Sequence, residues 1–267
     1  MKDNMIEYFT ENEDENRRKI FKLMKDWKNE ISKKGKIVFF DDKKSYPPED
    51  YFYLDGFFPN YYGKEPKVLF IAREARWQSG QDFIENSVKY FKTAEGINSV
   101  LFWRRIFYIL YGIRTNGKIE FHDIPYPYDY VMELKEKNDY GFALMNISKY
   151  SNDREDGGKK ADATLMNQFL KDSALDKRNF FKEEIEILDP DIIITANLWD
   201  GKIEEKYMNL CFNEIKKVKS IEGATLSTMM IKEKSIKIID LYHFSQPGLS
   251  DKNYFYDPVI NLLFKKY

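Results

Sequence analysis

A chain of 267 residues with 43% apolar side chains can bury a sizeable core, which excludes global disorder and fits one large α/β domain or two small ones. Its 43 basic and 44 acidic residues nearly cancel, which excludes a protein that grips a polyanion through overall charge, so a phosphate-binding site has to be local. One cysteine, Cys211, excludes disulfide frameworks and cysteine-built clusters, and no apolar run approaches membrane-span length.

The N-terminal stretch "MKDNMIEYFTENEDENRRK" is polar and acidic and lacks a signal-peptide core, so the expected compartment is the cytoplasm. Residues 6–33 read as an amphipathic helix, because Ile20, Leu23, Met24, Trp27 and Ile31 follow helical spacing. "KIVFF" (36–40) is a strand candidate. The Pro-, Gly- and Tyr/Phe-rich residues that follow read as a long irregular connection, which either packs its aromatics on the core or covers a site.

Four apolar runs then have the character of buried parallel strands: 67–72, 141–147, 191–196 and 236–242. Helical patterns separate them. Residues 98–113 are apolar nearly all round and predict a buried helix, and "ATLMNQFL" and "KRNFFKEEIEIL" predict helices before the third strand. In 201–215, Ile203, Tyr207, Met208, Cys211, Phe212 and Ile215 share one helical face, which makes Cys211 a core residue. Residues 224–242 suggest a hairpin feeding the fourth strand, and Asp257 and Pro258 open a closing helix as N-cap and first-turn residue. The charged segment 150–162 reads as a flexible surface loop. Strands alternating with helices predict an α/β fold, a three-layer α/β/α domain around a central, mainly parallel four-stranded sheet. Residues 1–60 form an N-terminal helix and aromatic-rich extension, and 61–267 the α/β domain.

In open parallel sheets, ligands bind outside the carboxyl ends of the strands. Arg73, Glu74, Arg76 and Trp77 follow the first strand. Asn146, Ser148 and Lys149 end the second, Thr195 and Asn197 the third, and His243, Ser245 and Gln246 the fourth. One polar strand end means little. Four with complementary chemistry point to a small-molecule or nucleotide site.

The ordered set resembles the uracil-DNA glycosylase superfamily over residues 67–250, nearest to the branch whose first motif reads Gly-Glu-Ala-Pro-Gly. Arg73-Glu74-Ala75-Arg76-Trp77 falls on that motif and keeps Glu74 and Ala75. Asn146 and Lys149 match the Thr-Asn-x-x-Lys end of the second strand. "DPDIIITAN" keeps Pro190 and places Asn197 near the glycine that ends the third strand, and "YHFSQPG" keeps His243 and Ser245 of His-Pro-Ser. The Pro-Gly of the first motif and the four iron–sulfur cysteines of that branch are absent, and no cofactor or metal is expected.

The resemblance implies a protein that takes a nucleotide out of the stack and cleaves its base–sugar bond, with DNA or a nucleotide as partner and no membrane. Asn146 would read the base edge, and Trp77 or Phe83 would stack on the base. His243 would donate to the oxygen where negative charge grows, and Glu74 would orient water or stabilise the cationic sugar. Ser245, Lys149 and Arg76 would meet phosphates. Arg73 and Arg76 are expected to hold Glu74 ionised, which suits an electrostatic role and argues against a general acid. Structural roles stand beside these: Asn146 as a turn cap, His243 as a satisfied buried imidazole, Glu74 in simple ion pairs, and His122 in a Pro/Tyr loop. A catalytically degenerate binding module on the same fold is the alternative function. A different α/β hydrolase or transferase is a third reading, although no Gly-rich phosphate loop or Gly-x-Ser-x-Gly elbow occurs.

Overall fold

Alternate side chains of the first buried run face two different cores. In the computed structural model, Leu69 and Ile71 join one apolar cluster, whereas Val68, Phe70 and Ala72 join a second. A strand buried on both faces must be covered by helices on both, and this alternation fixes the layered architecture. The structure describes residues 11–39, 44–91, 96–153, 161–212 and 214–265.

Among these residues the strands are β1 (Gly56–Phe57), β2 (Val68–Ala72), β3 (Ala143–Asn146), β4 (Ile192–Ala196), β5 (Lys216–Ile221), β6 (Ala224–Ile231) and β7 (Lys234–Leu241). They form one sheet in the order β1-β3-β2-β4-β7-β6-β5. β2 pairs in parallel with β3 and β4, and β4 in parallel with β7. The four strands expected to be parallel in one sheet are so. The sheet is mixed and seven-stranded, however, not four-stranded. β1 adds an antiparallel edge beside β3, and β5 and β6 extend the other side as antiparallel neighbours of β7. β5, "KKVKSI", is largely exposed and lysine-rich, the usual means of keeping an open edge from pairing with other chains.

The helices are α1 (Glu11–Ile31), α2 (Pro48–Tyr51), α3 (Phe83–Phe91), α4 (Leu101–Arg114), α5 (Pro127–Glu136), α6 (Ala163–Ser173), α7 (Phe180–Leu188), α8 (Glu205–Cys211) and α9 (Asp257–Phe264). Apolar faces of α1, α6, α7 and α8 pack with Leu69 and Ile71, and those of α3, α4, α5 and α9 pack on the other face. Trp27 anchors α1. It is fully buried, stacks on Phe180 with ring centroids 5.1 Å apart, and donates from Nε1 to Ser173 Oγ at 2.8 Å. Residues 36–39 do not form a strand; Ile37 makes an isolated bridge to Tyr46, and Phe40 lies outside the described residues. Asp257 is not an N-cap, because a π-helical segment Lys252–Tyr256 runs straight into α9 and places Asp257 inside continuous helix. The loop expected at 150–162 has ordered flanks: Tyr150, Ser151, Asn152 and Asp162 are buried, and 154–160 lie outside the described residues.

The aromatic-rich connection is threaded between the loops that leave β2 and β3. Phe52 bridges Tyr150, Leu54 bridges Asp82, and Tyr53 N donates to Lys149 O at 3.1 Å. Asp55 is drawn into the interior by this path. Lys149 Nζ lies 2.8 Å from Asp55 Oδ1 and 2.9 Å from Glu184 Oε2, and all three side chains are fully buried. Burial alone would lower the lysine pKa, but Asp55 and Glu184 together outweigh it and raise it. Burial pushes Glu184 well above the usual carboxylate range, against the opposing charge of Lys149.

Removing the cation leaves Asp55 buried and unpaired. Lys149→Met is expected to destabilise the fold by about 3–5 kcal/mol, read from urea unfolding at neutral pH. A loss under about 1 kcal/mol would show that the cluster does not hold these segments together.

Candidate functional site

The site is built by two loops that continue the pairing of β2 and β3 beyond the strands. Ile147 N donates to Ala72 O at 2.9 Å, Ser148 N to Arg73 O at 2.8 Å, and Asn152 N to Ala75 O at 2.9 Å. Tyr53, fully buried beneath them, donates its hydroxyl to Ser148 O at 2.8 Å and accepts from Ala75 N at 3.1 Å. Trp77 N donates to Asp153 Oδ1 at 2.7 Å, and Gln78 N to Ser151 Oγ at 2.9 Å. Every turn after β2 is thus tied to the turn after β3, which gives functional side chains a rigid base.

Glu74 projects from this base into a desolvated position. Its Oε1 accepts from Asn152 Nδ2 at 2.8 Å and from the backbone N–H of Asp162, the N-cap of α6, at 3.0 Å. Its Oε2 is buried and has no hydrogen-bond partner among the described residues. Burial raises the carboxyl from its ordinary 4.5 to about 7, against the hydrogen bonds from Asn152 and Asp162. This corrects the expectation that two arginines hold Glu74 ionised. Arg73 turns away to Asp200 and Asn197, and the charge of Arg76 is the smallest influence on the carboxyl. A carboxyl poised near 7 can exchange a proton at neutral pH.

Asn146 ends β3 with its side chain buried and its Nδ2 without a partner among the described residues, while its backbone N–H is held by Asp55 Oδ2 at 2.7 Å. The expected turn-capping role does not account for an unpaired amide at this depth. Lys149, three residues on, is not a phosphate contact. It points to the interior, where its ammonium is engaged by Asp55 and Glu184.

His243 follows β7. Its Nδ1 accepts from Ser245 N at 3.2 Å, so in the neutral ring the proton sits on Nε2. Burial, then the charges of Arg73, Arg76 and Lys202, lower its pKa to about 4, and the ring is neutral at physiological pH. The charge of Arg76 acts on both Glu74 and His243, lowering the pKa of each. Behind them Asp240, raised to about 6 by burial, accepts from Thr195 Oγ1 at 2.5 Å and from Leu198 N at 3.1 Å and fixes the turn after β4.

The remaining sequence-predicted residues are more scattered. Trp77 is 46% exposed, and Ser245 is also at the surface. Phe83 is half-buried at the start of α3, stacked on Trp103 with centroids 6.0 Å apart. Arg76 is half-buried. Arg73, Tyr53, Asn152, Asp55 and Asp162 complete the surroundings and were not singled out as site residues. Only Arg73 had a signal, its place directly after a buried strand; the others come from distant loops. His122 lies exposed on a 3-10 turn, Phe121–Asp123.

Two non-glycine residues at these strand ends have left-handed backbone, Trp77 with φ 58° and Asn197 with φ 56°. For a residue as bulky as tryptophan this costs about 1–2 kcal/mol, and the bond from Trp77 N to Asp153 helps to hold it.

No family model matches the chain, and no curated protein or solved structure does so significantly. Among the described residues no acidic, histidine or cysteine cluster is arranged to hold a metal ion, and no helix is long and apolar enough to cross a membrane.

The raised pKa of Glu74 has a signed consequence for stability. The folded state holds the proton more tightly than the unfolded chain, so this group's contribution is complete below about pH 4.5 and is lost as pH rises through about 7. Glu74→Gln has no such loss. Relative to the parent it is expected to gain about 3 kcal/mol between pH 4 and pH 8 in urea unfolding. An equal difference at both pH values would contradict a desolvated Glu74.

Proposed function

We propose that this chain hydrolyses a base–sugar N-glycosidic bond in DNA or in a nucleotide, on a uracil-DNA-glycosylase-like site at the carboxyl ends of β2, β3, β4 and β7. The observation that carries the reading is the chemistry shared by those ends. A buried carboxyl with a pKa of about 7, a buried amide nitrogen without a partner among the described residues and a neutral imidazole with its proton on Nε2 follow parallel strands of one mixed sheet.

Each group has a role in such a cleavage. Ionised Glu74 takes a proton from water as the water oxygen bonds to the sugar carbon. The bond from that carbon to the base nitrogen breaks, and its electron pair leaves with the base. His243 Nε2–H donates to the base oxygen on which the charge settles. Asn146 reads the base edge through its amide. Trp77 or Phe83 offers a ring for the extruded base, and Arg76 and Ser245 remain for flanking phosphates. Backbone geometry supports the resemblance further. Trp77 and Asn197 stand at or near places where the family carries glycine, and both have the left-handed φ that favours glycine. The first glycine's place, Arg73, lacks it.

A binding module on the same fold is the second reading, favoured by the burial of Lys149, which removes one expected phosphate contact.

Incubation with uracil-containing single- and double-stranded DNA, followed by abasic-site detection, tests the proposal. The rate is expected to rise as Glu74 ionises around pH 7. No loss from His243 should follow at higher pH, because the ring is neutral above about 4. Glu74→Gln should abolish the rise, and His243→Ala should cost roughly a hundredfold in rate. Asn146→Ala should also cost discrimination between bases. Nucleic-acid or nucleotide binding with no abasic sites from about pH 5 to about pH 9 would leave the binding module as the better account.

A further inference from the structure

Arg73 is a buried cation whose buried Nε–H is unanswered among the described residues. It is 5% exposed, and its Nη2 is fixed by Asn197 O and Asp200 Oδ2 beyond the end of β4. Its Nε is buried and has no hydrogen-bond partner among the described residues. The nearby carboxylates do not meet that donor: Asp200 takes Nη2, and Asp240 accepts from Thr195 and Leu198. A guanidinium N–H desolvated without an acceptor is unfavourable unless a bound molecule supplies one.

Register places His243 across the end of β4 from it. Ile71 is paired with Thr195, and Leu241 with Ala196. Arg73 and His243 each lie two residues beyond those partners, on strands that flank β4 on either side. Both side chains therefore border the turn at Asn197, where Arg73 makes its bond. His243 presents Nε2–H, since Ser245 N occupies Nδ1. Three cations, Arg73, Arg76 and Lys202, act on this ring against one carboxylate, Asp200, so the local field favours negative charge.

We infer that Arg73 Nε–H and His243 Nε2–H form a two-donor cradle for one anionic oxygen of the bound molecule, which makes Arg73 a ligand-binding residue of this site. The inference rests on the proposed function in taking a pyrimidine as the bound ring. It goes further in assigning the second donor to a residue at a position where the family carries glycine.

The test compares two rings of similar size by calorimetric titration at neutral pH: barbiturate, which is an oxygen-centred anion, and uracil, which is neutral. Charge-assisted bonds are about twice as strong as neutral ones, so the wild-type chain is expected to bind barbiturate about tenfold or more tighter. Arg73→Gln should bring the two affinities to within about threefold, and Arg73→Lys, which keeps charge without the planar fork, should retain part of the preference. Circular dichroism establishes that each variant folds, and the wild-type comparison stands by itself if one does not. Equal binding of the two rings, binding of neither, or a full preference retained in folded Arg73→Gln would overturn the cradle. Absence of uracil excision by a chain that still prefers barbiturate through Arg73 would sink the proposed reaction and leave the cradle intact.

Discussion

The buried cluster of Lys149, Asp55 and Glu184 is the constraint on which the site depends. Each member comes from a different part of the chain: the aromatic-rich connection, the turn after β3, and α7. Three ionisable groups in a dry interior are tolerable only if their charges nearly cancel and their hydrogen bonds are met. That condition pins three segments at once. Asp55 Oδ2 also holds the backbone N–H of Asn146, so the strand end that presents the amide is set by the same carboxylate. Trp27 lies against the cluster, with the Lys149 ammonium 5.5 Å from its ring, which couples α1 to the same point.

Desolvation then tunes what the strand ends present. Glu74 and His243 are both shifted away from their charged forms, the acid upward and the base downward, and burial is the first cause in each. A carboxyl and an imidazole moved in this way exchange their usual roles near neutral pH. The imidazole becomes a fixed neutral donor, and the carboxyl becomes the group that gains and loses a proton. Of these two groups His243 feels the arginines more, the reverse of what their position beside Glu74 suggests.

How much of this was legible follows from the range of the interactions. The four parallel strands were readable because each is a continuous apolar run, and their ends were readable because polarity changes abruptly there. β1 was not, since two residues carry no periodicity, and β5 was not, since an exposed lysine-rich edge looks like loop. Glu74, Asn146 and His243 could be named as candidates from sequence position. Their protonation states could not, because burial sets them and the donors to Glu74 come from Asn152 and Asp162, whose proximity exists only in the folded chain. Lys149 shows the same limit in the other direction. Its spacing from Asn146 suggested a phosphate contact, yet partners 94 and 35 residues away in sequence draw it inward.

The proposed reaction requires a desolvated Glu74 as the proton-exchanging group of the strand-end site. The most direct measurement is a carbon-13 NMR titration of the glutamate side-chain carboxyls, with Glu74 assigned by its absence in Glu74→Gln. The account expects its midpoint at about 7, well above that of exposed glutamates. A midpoint near the ordinary 4.5 would mean that Glu74 is solvated or charge-paired, and would contradict the claim.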